Sequence, residues 1–292
     1  MSQDKAASGE RNFAKSVIYG IIFGASFLLS ILIVKELFIV LIATAAAAGS
    51  WELSSALRQA GWYVPRLPVT IGSLVIMPIT YIYGSYGQWI VTAFIIVALT
   101  IWRAVHLLWE KRETVSQSFA KSVRDFAAAA FVVIYIPLTI SFAVLLLARH
   151  TASMPNEGAY WVIEFVVPTA LIDTSGYLVG RKLGRTKIAP GISPKKSLEG
   201  LIASILVGGS GSVLIMVFLL HKDWWWGVIA AGLTIVAAVG GDLAESLIKR
   251  DLGVKDMSSW LPGHGGVMDR LDSMLPAGLS IYLFATIFFP IG

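Results

Sequence analysis

The sequence predicts an all-α integral membrane protein of about nine transmembrane helices, and three observations carry that prediction. The composition is 56% hydrophobic and only 14% charged over 292 residues, with a mean hydropathy of +0.75, whereas a soluble domain carries about a quarter charged residues. The apolar runs approach the roughly 20 residues that a spanning helix needs. The cations are also distributed unevenly between the two sides that such a topology defines.

The runs fall at 16–34, 36–57, 67–83, 87–108, 123–148, 159–180, 198–220, 224–248 and 273–290. Ala45 to Ala48 after the first run resemble a signal-peptidase site. The apolar core is too long for a signal peptide and a second run follows almost at once, so a retained anchor is expected. Only Lys35 and Glu36 mark the boundary between runs one and two. Residues 111–122 read as a short polar connector, and 181–197 as a basic loop punctuated by Gly and Pro. Trp224, Trp225 and Trp226 open the eighth run, where indole rings anchor at an interface.

Twenty of the 23 Lys and Arg residues fall on the N-terminal tail and in the loops after runs two, four, six and eight, counting Arg103 at the end of run four and Arg124 at the start of run five with the loop between them. Lys35, Arg149 and Lys222 alone fall on the other side. The positive-inside rule then puts the N-terminus in the cytoplasm and the C-terminus outside. The chain reads as a single multi-pass domain of the cell membrane over 1–292. Its N-terminal helices occupy 1–150, and the helices carrying the chemistry occupy 151–292. With no cysteine, disulfides, thiolate ligands and a Cys nucleophile are excluded. The net charge of +5 follows from topology, and no nucleic-acid partner is expected.

Polar chemistry concentrates in two stretches. From Gly240 to Asp272, charges of both signs crowd around Pro262-Gly263-His264-Gly265-Gly266. Asp242, Glu245, Ser246 and Lys249 recur at helical spacing and share one face near the end of run eight. An ionised Asp in a spanning segment is costly and turns toward a polar cavity or a partner. The Gly-rich loop bends sharply enough to bring N–H groups to a phosphate. Asp242 and Asp269 are expected to meet across this turn, where two acids suit a metal and phosphate chemistry.

The second stretch is Asp173 to Gly200. Asp173 and Tyr177 lie one turn apart, and Gly176, Gly180 and Gly184 form a small-residue ridge for close helix packing. Ser193, Lys195, Lys196 and Ser197 lead into run seven, which Ser197 can cap, with Glu199 in its first turn. Cations beside a helix N-terminus suit an anionic phosphate chain, although topology and attraction to anionic headgroups account for them equally. Glu36, Glu52, Arg103, Asp125 and Glu164 receive no chemistry, and His106, His150 and His221 read as interfacial.

At these residues the chain resembles the phosphatidate cytidylyltransferases, or CDP-diacylglycerol synthases. The family pattern S-x-aliphatic-K-R-x4-K-D-x-small-x2-aliphatic-P-x-H-G-G-aliphatic-x-D-R-x-D is filled without a gap. The residues that fill it are Ser246, Lys249, Arg250, Lys255, Asp256, Ser258, Leu261, Pro262, His264, Gly265, Gly266, Asp269, Arg270 and Asp272. Upstream, D-x-x-x-Y-x-x-G-R-x-x-G and S-P-K-K-T-x-E-G recur, with Ser197 in the place of Thr.

The resemblance implies that CTP and phosphatidic acid give CDP-diacylglycerol and pyrophosphate. It also implies Mg2+, K+ as a possible second ion, a homodimer, and a polar active-site cavity facing the cytoplasm and open sideways to lipid. Asp242 and Asp269 would hold the metal, with Lys249, Arg270 and His264 completing the catalytic set. The expected substrate-binding set is Asp173, Tyr177, Ser193, Lys195, Lys196, Ser197, Glu199, Glu245, Ser246, Arg250, Gly265, Gly266 and Asp272. The lipid phosphate is already an oxyanion and needs no strong base, so His264 is expected to orient loop or phosphate. A CDP-archaeol synthase or polyprenol kinase is the nearest rival, and a transporter the rival from another class. Against the transporter stand charged motifs confined to one side and the lack of a visible repeat.

Overall fold

The computed structural model describes residues 29–109, 115–189, 193–258, 260 and 265–291. Most of the first predicted span lies outside these residues, as does His264. The side chain of Lys195 is likewise outside them.

The described chain is helical apart from one small hairpin of strands. A helical stretch over 29–33 ends at Val34 (φ −136°, ψ 93°), and α1 (Lys35–Gln59) begins there. The weakly marked boundary at Lys35 is therefore a real break.

Next, α2 runs Arg66–Trp109 with Gly84 at φ 62°, ψ −152° inside it, a region in effect reserved for glycine. The chain reverses at this point. A Cβ on Gly72 would touch Ile95 at 3.0 Å, although a straight helix would hold the two roughly 34 Å apart. Trp102 Nε1 donates to the Tyr63 hydroxyl (3.3 Å), and the Arg103 guanidinium lies 4.6 Å over the Tyr63 ring. Two antiparallel helices thus occupy 66–109, and the break falls inside the predicted gap at 84–86.

α3 (Val115–Val133) passes through a π-helical turn (Ile134–Leu138) into α4 (Thr139–Leu147). Pro137 lies inside that turn. Proline has no N–H to donate and its ring displaces the preceding carbonyl, so the helix widens there.

α5 (Glu157–Leu183) leads to the strands β1 (Lys187–Ala189) and β2 (Ser193–Ser197), then to α6 (Leu198–Phe218) and α7 (Trp224–Asp251). The short α8 (Met268–Leu271) and α9 (Met274–Phe288) complete the chain. The strands pair antiparallel, with Lys187 opposite Ser197. They modify the all-α expectation, since the basic loop is a β-hairpin folded beside the start of α6. Seven helical runs among the described residues are long and apolar enough to cross a membrane.

The expected glycine ridge packs α5 on α6. A Cβ on Gly176 would lie 2.5 Å from Ser204 Oγ, and one on Gly200 would lie 2.7 Å from the Gly176 carbonyl. Ser204 Oγ donates across this contact to the Ile172 carbonyl (2.7 Å).

At the bundle end away from the site, Trp226 stacks among Phe284, Phe288 and Phe289. Of the three tryptophans, Trp226 therefore packs inward, while Trp224 and Trp225 remain exposed. Arg149 Nη2 donates to the Phe289 carbonyl there. Burial lowers the proton affinity of that guanidinium, and nearby Glu157 and Tyr282 oppose the shift.

Candidate active site

The site is a row of carboxylates where the second halves of α5 and α7 meet α8. Gly241 sets the distance. A Cβ there would run into the Asp272 carbonyl and the Pro276 ring, so only glycine lets α7 lie this close to the start of α9. That contact puts Asp242 and Glu245 of α7 opposite Asp272.

Lys249 joins the row to the motif loop. Its Nζ donates to Glu245 Oε2 at 2.9 Å and to Asp269 Oδ1 at 2.8 Å. Glu245 is fully buried, and among the described residues its Oε1 has no hydrogen-bond partner. The other oxygen of Asp269, Oδ2, accepts from the N–H groups of Gly266 (2.7 Å) and Met257 (3.2 Å). Gly265 (φ 80°) makes the turn that aims these groups inward.

At the other end, Asp242 Oδ2 pairs with Lys196 Nζ of β2 at 2.6 Å. Asp173 of α5 lies within electrostatic reach of Asp272, Ser273, Asp242 and Lys196. Asp272 Oδ1 is held by the N–H (2.7 Å) and hydroxyl (3.1 Å) of Ser273.

Asp242 and Asp269, expected to meet across the turn, stand instead at opposite ends of the row, because Asp242 turns to Lys196 of β2 while Asp269 turns to Lys249. The α7 positions they engage are two helical turns apart, roughly 10 Å, with Glu245 and Asp272 between them. Asp242 pairs with Lys196, whereas Asp269 shares Lys249 with Glu245.

Other expected residues support the row or lie apart from it. Ser197 caps α6 by accepting from the Gly200 N–H (3.2 Å). Glu199 accepts from the N–H groups of Arg185 and Thr186, both at 3.1 Å, and so folds the basic segment back on α6. Tyr177 is exposed and accepts from Arg181 Nη1 (3.2 Å). Ser193 begins β2 opposite Ala189, Ser246 is half-buried, and Arg250 and Arg270 lie at the exposed rim.

Sequence reasoning missed two residues. Glu52 of α1 reaches the motif loop, its Oε1 and Oε2 accepting from the N–H groups of Val267 (3.0 Å) and Met268 (2.8 Å). Tyr135, on the π-helical turn, brings a buried hydroxyl, unpartnered among the described residues, near Glu245 and Asp272. An acid within an apolar run was a signal for Glu52, but its partner is more than 200 residues away. Nothing in the sequence around Tyr135 distinguished it from packing.

Oxygen donors of this kind suit a hard divalent cation. No three Asp, Glu or His among the described residues converge into a ready-made cage. Mg2+ does not require one, since it takes one or two carboxylates, waters and substrate phosphates. Among the described residues, five acids share two paired lysines here, and one buried carboxylate oxygen has no donor. The donor set therefore fits that mode of binding.

An apolar cavity of about 250 Å³ lies beside the site. Leu271 and Met274 line it at the site end, with Leu41, Ala143 and Phe165 opposite.

Comparison with known proteins agrees with this chemistry. The cytidylyltransferase family matches residues 14–288. A phosphatidate cytidylyltransferase of Mycobacterium leprae is 33% identical over 282 residues, covering 95% of this chain and 88% of that protein. One from Mycobacterium bovis is 31% identical, covering 95% and 89%. One from Brucella abortus is 43% identical over 118 residues, covering 40% of this chain and 43% of that protein. With the family match spanning nearly the whole chain, the chain belongs to the cytidylyltransferase family.

Proposed function

We infer that the chain is a phosphatidate cytidylyltransferase: it joins CTP to phosphatidic acid, forming CDP-diacylglycerol and releasing pyrophosphate in phospholipid biosynthesis. The observation that carries this reading is the Lys249 ammonium, bridging Glu245 of α7 to Asp269 of the motif loop. It links an acid just before the family signature, Glu245, to one within it, Asp269, through a single cation.

A phosphate oxygen of the lipid attacks the α-phosphorus of CTP, and the bond to the bridging oxygen of the β-phosphate breaks. The pyrophosphate takes that electron pair. When bound, Mg2+ neutralises the reacting phosphates and orients the in-line displacement. Asp242 and Asp269 are proposed to hold the metal centre, each from its own end of the row, with K+ proposed as a second ion beside Mg2+. Lys195, Lys196, Lys249 and Arg270 offset the charge that gathers on the leaving pyrophosphate. The attacking oxygen is already ionised, so His264 orients the phosphates and abstracts no proton. Asp173, Tyr177, Ser193, Ser197, Glu199, Glu245, Ser246, Arg250, Gly265, Gly266 and Asp272 form the rest of the proposed substrate-binding surface.

The whole chain is read as one membrane domain of nine spans, with each half of α2 and the first apolar run counted separately. The site faces the cytoplasm through a polar cavity, where CTP is available, and the C-terminus lies outside the cell membrane. The positive-inside distribution supports that orientation. A homodimer completes the proposal.

The test uses purified protein in detergent with phosphatidic acid, labelled CTP and Mg2+. Label should enter the lipid phase, and EDTA or Asp269→Asn should abolish it. A folded protein that transfers no cytidine label to phosphatidic acid would overturn the reading, and a γ-phosphate label of CTP appearing on a lipid alcohol would identify a kinase instead.

A further inference from the structure

The loop that carries Asp269 is held from outside by an acid that belongs to none of the motifs. Glu52 is 1% exposed, and among the described residues no lysine or arginine pairs with it. Its Oε1 accepts from the Ser258 hydroxyl and from the Val267 N–H (3.0 Å), and its Oε2 accepts from the Met268 N–H (2.8 Å). A Cβ on Gly266 would lie 2.7 Å from Oε2, so the carboxylate is enclosed by this one loop.

The hydrogen bonds are divided between two acids. Of three consecutive N–H groups, Gly266 donates to Asp269, while Val267 and Met268 donate to Glu52. Moving Glu52 therefore moves the backbone that fixes Asp269. A buried carboxylate is stable only with such donors, and here every donor comes from the segment it holds.

We propose that Glu52 is a positioning residue for the cytidylyl transfer. It clamps the loop at 258 and 266–268 and thereby sets Asp269 where the metal and phosphates need it. The inference rests on the proposed metal role of Asp269. It gives the N-terminal helices a part in the reaction beyond enclosing lipid.

The test compares full-length wild type, Glu52→Gln, Glu52→Asp, Ser258→Ala and Asp269→Asn in detergent. Glu52→Gln keeps the shape but turns an NH2 toward backbone N–H groups. It should lower kcat and raise the half-saturating Mg2+ by roughly 10- to 100-fold, as loss of an outer partner of a metal ligand does. The KM for phosphatidic acid should stay within about threefold, because no lipid contact is lost. Glu52→Asp keeps the charge and should recover part of kcat. Ser258→Ala removes one donor and should shift Mg2+ dependence in the same direction but less, which serves if Glu52→Gln does not fold.

A readout independent of turnover is Mn2+ binding followed by electron paramagnetic resonance, which should weaken in Glu52→Gln. Wild-type kcat with wild-type Mn2+ binding in Glu52→Gln or Ser258→Ala would overturn the inference and leave the cytidylyl transfer standing. Full activity in Asp269→Asn would instead remove the premise on which the inference rests.

Discussion

Lys249 is the residue on which the charge balance of the site turns. Its ammonium is the one counter-charge within ion-pair distance of fully buried Glu245 among the described residues. Lys249→Ala leaves two acids with no cation between them, and breaking a buried pair this way costs about 3–5 kcal/mol. Thermal unfolding in detergent should show a lower Tm, together with lost CDP-diacylglycerol formation. Adding Glu245→Gln should restore much of the Tm and none of the activity. Recovery of both would mean that Lys249 serves the fold alone. The spacing of Asp242, Glu245 and Lys249 made this face of α7 legible in the sequence, because i, i+3 and i+7 fix a helical stripe. That Asp242 faces Lys196 and Asp272, with Asp269 two turns further along, was not legible, because tertiary approach sets it and periodicity does not.

Two glycines decide how the helices meet, for different physical reasons. Gly84 supplies a backbone conformation and Gly241 supplies clearance. Gly84→Ala forces a Cβ into φ 62°, ψ −152° and should cost about 1–3 kcal/mol. It should leave kcat unchanged at low temperature, since no site residue lies on α2. Gly241→Ala should do the reverse in emphasis. Its methyl meets the Asp272 carbonyl and Pro276, so α7 and α9 separate and transfer falls at least tenfold with a smaller change in Tm. Measuring Tm and kcat for both variants checks the pair, and equal kcat loss in both would contradict it. The reversal near Gly84 was readable because hydropathy lapses at 84–86. The clearance at Gly241 was not, since Gly240-Gly241 beside an acid reads equally as flexibility. The β-hairpin of 187–197 escaped notice because its five-residue strand, SPKKS, is too polar and short to show alternation.

The molecule has a charged, motif-bearing end and an aromatic, stapled end. Because it has no cysteine, its orientation can be read with single introduced thiols. Arg185→Cys near the site and Lys222→Cys beside the Trp226 cluster should label from opposite sides of intact cells with a membrane-impermeant maleimide, only Lys222→Cys reacting from outside. The opposite pattern would invert the topology and remove CTP from the site. Charge asymmetry made the two ends legible, whereas the meeting of α1 with the loop before α8 is a long-range contact with no local signature.

That contact also orders the making of the enzyme. Met268 follows Glu52 by 216 residues, so at about 5–20 residues per second the ribosome reaches it some 10–40 s later. Until then the acid in α1 lacks the donors it will have in the finished protein, and the loop that bears Asp269 has not been translated. On the proposed role of Asp269, competence to handle CTP arrives with the last helix, and a nascent chain stalled before it is a membrane protein without an activity to misdirect.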